Sequence, residues 1–198
     1  MDQKIVREEI LYTAIFGALW GVMEVVIGTT LQTTRLPFRG IIMAVMAAII
    51  LVTAREFVWY KSSSIVIGAI AAVLKMFSMS GLVITPIAAI MMESFLAEAV
   101  FLIFSYNIFS SAVAGALILI YSFSHGLIMH GVFFGSHIYR TYINIISEFA
   151  SWINVNKENL YLFLIGIGLI NVLIGILAGI IGWKIGKRTR QILREGEG

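Results

Sequence analysis

Residues 13–24 read TAIFGALWGVME, an apolar run with small residues at 14, 17, 18 and 21 that ends in a carboxylate. At 100° per residue, Gly17, Gly21, Glu24 and Gly28 fall on one narrow helical face. Ala14 and Ala18 occupy a neighbouring face, which Val25 continues. Helices in lipid associate through close backbone approach, which small side chains permit. The glycine face is therefore expected to pack inside a bundle and to carry Glu24 with it. A carboxylate in hydrocarbon is costly unless it meets a partner or a cavity, so Glu24 is expected to point inward. A purely structural alternative pairs it with Lys75 to hold the bundle.

Composition extends the membrane reading to the whole chain. Of 198 residues, 60% are hydrophobic and 13% charged, with a mean hydropathy of +0.96. Soluble domains carry about 25% charged residues, so a water-soluble globule fits poorly, and the length suits one transmembrane domain over 1–198. The absence of cysteine excludes disulfides, thiolate metal ligands, iron–sulfur clusters and a cysteine nucleophile. The net charge of +3 is small, and the basic residues sit at the ends of apolar runs. Nucleic-acid binding requires a basic face, and none is present. The leader MDQKIVREEI mixes both charge signs, and the apolar run behind it exceeds a signal-peptide core. It reads as the start of a permanent helix.

A spanning helix needs about 20 mostly apolar residues. Six stretches are expected to qualify: 10–31, 40–59, 63–82, 84–105, 109–135 and 159–186. Only SGLVITP separates the third from the fourth, and Pro86 suits a first helical turn. Lys and Arg counts in short loops set orientation. The N-terminal side carries Lys4, Arg7, Arg55, Lys61, Lys184, Lys187, Arg188, Arg190 and Arg194, nine in all. The opposite side carries Arg35, Arg39, Arg140 and Lys157, four in all. Nine against four places both termini in the cytoplasm of a multi-pass cell-membrane protein. The stretch 136–155 places Ile138, Tyr142, Phe149 and Ile153 at helical spacing, an amphipathic helix expected in the outer interface. It reads either as a lid or as a surface connector anchored by Tyr142 and Trp152.

Ionisable residues inside spans mark functional sites by default. Besides Glu24 these are Lys75, Glu93, Glu98, His125 and His130. Lys75 and Glu93 lie on consecutive helices, where an ion pair between them competes with a ligand-facing role. Glu98 is five residues past Glu93 and points about 140° away, so the two form no carboxylate dyad. His125 and His130 diverge by the same angle, and His137 lies about 10 Å along the axis from His130, so no histidine pair chelates one ion. One histidine with glutamates from other helices stays open as a metal site. On the last span Gly175, Gly179, Gly182 and Gly186 form one expected packing seam, with Asn171 beside it placed to hydrogen-bond across helices. No H-E-x-x-H, G-x-S-x-G or Walker A pattern occurs, so no enzyme, nucleotide site or cofactor is implied.

The A-x-x-x-A spacing of Ala14 and Ala18 on the first helix resembles that of the substrate-binding S components of energy-coupling factor (ECF) transporters. Those are six-helix membrane proteins of similar size with cytoplasmic termini. The resemblance implies that Ala14 and Ala18 dock on a transmembrane coupling subunit driven by separate ATPases. It also implies that the chain captures a small solute such as a vitamin, with Glu24, Lys75, Glu93, His125 and His130 as candidate substrate-binding residues. Metal-specific relatives in that family use a histidine near the chain start, and this chain begins MDQKIV. Metal-ion uptake, and a membrane-embedded enzyme or assembly factor acting on a lipid-like substrate, are the alternatives. A self-sufficient carrier would carry an inverted repeat, and none is found.

Overall fold

Alanine decides the centre of the fold. The computed structural model describes residues 3–33, 39–77, 84–134 and 160–196. Within them lie helices α1 (Gln3–Thr33), α2 (Arg39–Phe57), α3 (Ser63–Met76), α4 (Ile84–Phe104), α5 (Ile108–Phe134) and α6 (Leu160–Gly196). Ala44, Ala47, Ala48 and Ala54 of α2 are completely buried. Side chains no larger than a methyl let neighbouring backbones close in from every direction. Accordingly α2 touches each of the other helices, and α1, α3, α4, α5 and α6 follow one another around it.

Contacts at one end of the bundle fix the direction of every helix. The backbone N–H of Trp59, just after α2, donates to Glu9 near the start of α1 at 3.0 Å. Ser62 and Ser64, where α3 begins, donate their backbone N–H groups to Glu98 near the end of α4 at 2.8 and 3.0 Å. Glu56 in the last turn of α2 pairs with Lys187 of α6 at 2.9 Å and is also reached by Arg190. Successive helices therefore alternate in direction, and the start of α1 lies at the same end as the close of α6. We call this the first end of the bundle.

Among the described residues five helices are long and apolar enough to cross a membrane: Arg7–Leu31, Arg39–Phe57, Ile84–Phe104, Ile108–His125 and Ile165–Gly196. Of the expected third span over 63–82, the described part is α3. The helix there covers 14 residues, about 21 Å at 1.5 Å per residue, against a hydrocarbon core of about 30 Å. The Phe77 N–H donates to Leu74 three residues back and tightens the final turn. Residues 78–82 of the expected span, and the amphipathic stretch 136–155, lie outside the described residues. At the other extreme, α6 runs ten residues past the expected boundary of 186, to Gly196.

Glycine makes two seams where one was expected. A Cβ on Gly115 of α5 would collide with the backbone carbonyl of Gly175, and one on Gly179 with that of Ser111, so α5 and α6 meet backbone to backbone. Gly182 and Gly186 instead face α2, where a Cβ on Gly182 would lie 2.9 Å from the Ile49 carbonyl. One glycine stripe thus serves two neighbours in succession. Asn171, also on α6 and buried, donates to Ile167 of its own helix at 2.9 Å. It makes no hydrogen bond to another helix among the described residues.

Candidate functional site

The two faces of α1 separate in the structure. Gly17 and Gly21 are buried, and added Cβ atoms would lie 2.8 Å from Ile70 Cβ and 2.7 Å from Leu74 Cβ of α3. Thr13, Trp20 and Glu24 are buried on the same side. Ala14 and Ala18 are exposed, flanked by exposed Ile15 and Leu19. Omission of side-chain bulk on one face brings α3 within reach; on the other it leaves a shallow strip on the bundle's outer surface.

Glu24 meets Lys75 one turn above these glycines. The Lys75 ammonium lies 3.5 Å from the Glu24 carboxylate and donates to the Glu24 backbone carbonyl at 2.5 Å. Lys75 is 2% exposed and Glu24 7%, so the pair lies deep inside the bundle, where each charge relies on the other. Gly28 makes room for it, because a Cβ there would stand 3.1 Å from the Lys75 Nζ and 3.3 Å from the Glu24 carboxylate. Of the two ion pairs the sequence leaves open to Lys75, the one with Glu24 forms, and none with Glu93 is made among the described residues. Lys75 sits next to the last residue of α3, whose α1-facing side is the one that Gly17 and Gly21 hold in contact.

Glu93 on α4 is 5% exposed, and among the described residues no hydrogen bond or ion pair reaches its carboxylate. It lies within the electrostatic reach of Glu24, and Tyr121 of α5 lies within reach of Glu93. The Tyr121 hydroxyl shares a 2.9 Å hydrogen bond with His125 Nδ1, one turn further along α5. The other imidazole nitrogen is buried and reaches no side-chain partner among the described residues, and the Thr85 backbone at the start of α4 lies close to the ring. Of the five expected substrate-binding residues, Glu24 and Lys75 are in direct contact between α1 and α3, and Glu93 of α4 and His125 of α5 make no hydrogen bond or ion pair with that pair or with each other among the described residues. His130 belongs to α5, but its side chain lies outside the described residues. Among the described residues no three His, Asp or Glu side chains converge as a metal site would require.

Glu98 belongs elsewhere. It is 1% exposed and acts as a cap supplied by a neighbouring helix. Its two oxygens accept the Ser62 and Ser64 N–H groups at the start of α3 and pair with Arg55 at 3.4 Å. A carboxylate suits the positive end of a helix and its unpaired donors. Arg55, counted among the basic residues of the N-terminal side, is buried in the last turn of α2 and also donates to the Tyr60 carbonyl and the Ser63 hydroxyl. These bonds hold Ser62 in a left-handed conformation with φ 70°, which costs a non-glycine residue about 1–3 kcal/mol. Glu98 and Arg55 thus lock the first end of the bundle and lie apart from the Glu24 cluster.

Sequence reasoning missed Tyr121, Arg55 and Glu56. Tyr121 is legible in the sequence, because residues four apart stack on one helix face and His125 is a candidate site residue. For the buried ion pairs of Arg55 and Glu56 no sequence signal distinguished them from charges at a wet helix end. A separate apolar groove opens between α1, α2 and α6, walled by Phe16, Ile50, Phe57 and Leu193, and no charged residue lines it. No protein family, curated protein or solved structure matches this chain.

Proposed function

We propose that this chain is the solute-capture subunit of an ECF-type importer. In this reading it lies in the cell membrane with six membrane helices, α3 among them, and with both termini in the cytoplasm. The observation that carries the reading is the division of α1: a charged cluster held inward at Glu24 and an alanine strip, Ala14 and Ala18, left bare on the outside. An outward small-residue strip does nothing for the chain's own packing, and a helix of another subunit can approach it closely. The excess of basic residues at the first end supports a cytoplasmic location for that end. The Glu24–Lys75–Glu93 cluster then sits in the outer half, where a solute from outside would arrive. Transport energy would come from the partner's ATPases, since the chain carries no nucleotide motif of its own.

The test replaces Ala14 and Ala18 together by leucine. A lipid-facing strip tolerates leucine, so the purified variant is expected to fold and to keep solute binding. Co-purification of a coupling subunit and uptake in cells are expected to fall together. A variant that unfolds, or one that transports normally, defeats the docking role.

A further inference from the structure

We infer that Glu93 is the anionic subsite for a positively charged nitrogen, so that the captured solute is an organic cation. The inference rests on the proposed capture role and deepens it. Its ground is a buried carboxyl that the packing leaves without a partner. Among the described residues Lys75 is the single cation of the cluster, and it is engaged twice on α1, by the Glu24 carboxylate at 3.5 Å and the Glu24 carbonyl at 2.5 Å. That leaves Glu93, 5% exposed, within the electrostatic reach of Glu24 and without any hydrogen-bond donor among the described residues. A buried polar group is normally satisfied, and a buried carboxylate with no donor is the exception that calls for a ligand.

The neighbours narrow the class of ligand. A metal ion would need further carboxylate or imidazole donors, and among the described residues no three such side chains converge. An anionic solute would face two carboxylates against one committed ammonium. An ammonium or amidinium group needs only one carboxylate and a polarisable wall, and the Tyr121–His125 aromatic pair, with ring centroids 5.3 Å apart, lies on that side. Glu24 and Lys75 position the site by cancelling one another, which leaves the buried Glu93 carboxyl without a partner until the solute arrives.

The experiment measures ligand-dependent melting of the full purified chain in detergent. The probes are benzylammonium, benzamidinium and choline, set against benzyl alcohol, benzamide and phenylacetate. At least one cation is expected to raise the melting temperature saturably, while the neutral and anionic compounds do not. In Glu93→Gln the affinity for that cation is expected to drop about thirtyfold or more, and in Glu8→Gln, an exposed control, to stay unchanged. Should Glu93→Gln fail to fold, Glu93→Asp keeps the charge, and it is expected to retain the preference for cations. Equal responses to cations and neutral isosteres, no response to any cation, or unchanged affinity in Glu93→Gln each overturn the inference. Cation binding without capture of a coupling subunit would retain this site and remove the importer reading, and coupling without cation binding would do the reverse.

Discussion

Lys75 is 2% exposed and has one carboxylate partner among the described residues, Glu24. Removing one member of a buried pair strands the other, at a cost of about 3–5 kcal/mol, whereas replacing both by apolar or neutral groups is far milder. Lys75→Met is therefore expected to lower stability by about that amount in a detergent unfolding titration, and Glu24→Gln combined with Lys75→Met to recover most of it. A double variant as unstable as the single one would mean that the pair is not the relevant interaction. Tyr106, between α4 and α5, carries a second residue-scale prediction. Its hydroxyl is buried without a hydrogen-bond partner among the described residues. Burial first, then the Glu56 charge, raise its pKa above the ordinary 10.0, against an opposing contribution from Arg190. The folded phenol thus keeps its proton where the unfolded one loses it. Its contribution is fully present below about pH 10 and fades as pH rises further. Melting temperature is expected to fall more steeply between about pH 9 and 11 in wild type than in Tyr106→Phe, and the substitution to cost under about 1 kcal/mol at neutral pH. Parallel slopes for the two proteins would contradict the assignment.

At the scale of elements, the α5–α6 contact rests on backbone touching backbone. A side chain can rotate away from an added methyl, but the Gly175 carbonyl opposite Gly115 cannot leave without moving its helix. Gly115→Ala is therefore expected to destabilise by about 1–3 kcal/mol, the usual cost of overpacking. Gly166 and Gly168 lie on the same α6 with nothing within 4 Å of an added Cβ. Alanine at either is expected to be neutral or to stabilise by up to about 1 kcal/mol through helix propensity. Thermal unfolding of the three variants side by side checks the contrast, and similar behaviour of all three would place the seam elsewhere. The start of α5 needs no such neighbour: Asn107 accepts the Ser110 N–H at 2.9 Å while Ser110 Oγ accepts the Asn107 N–H at 2.9 Å, a reciprocal cap. By contrast α3, whose first donors have no side-chain cap of their own, depends on Glu98 from α4.

For the whole molecule, alternation of the helices brings the start of α1 and the close of α6 to one end. The proposed orientation then places that end in the cytoplasm. A chain without cysteine permits a direct test, since single cysteines report without background. Asp2→Cys and Gly196→Cys are expected to resist an impermeant thiol reagent in intact cells and to react once the membrane is opened. Labelling of either from outside would reverse the orientation and move the Glu24–Lys75–Glu93 cluster to the cytoplasmic half. It would also leave the alanine strip in the outer half, far from any cytoplasmic ATPase.

By itself the sequence determined what local periodicity and solvent can dictate. Long apolar runs dictated helices, because lipid offers the backbone no other hydrogen-bond partner. The glycine spacing of α1 marked its inward face, and Glu24 on that face had to follow. Ala14 and Ala18, one step around the helix, had to fall off it. The tertiary structure decided who stands opposite whom. Lys75 reads equally well as a partner for Glu24 or Glu93 until α3 is seen pressed against α1 by Gly17 and Gly21. The four glycines of α6 read as one seam until the helix is seen to pass from α5 to α2 along its length. Arg55 and Glu98 are 43 residues apart, and nothing in either segment announces the other. Periodicity is a property of one helix, whereas pairing depends on the order of helices around α2, which the chain specifies only through the sum of all its contacts.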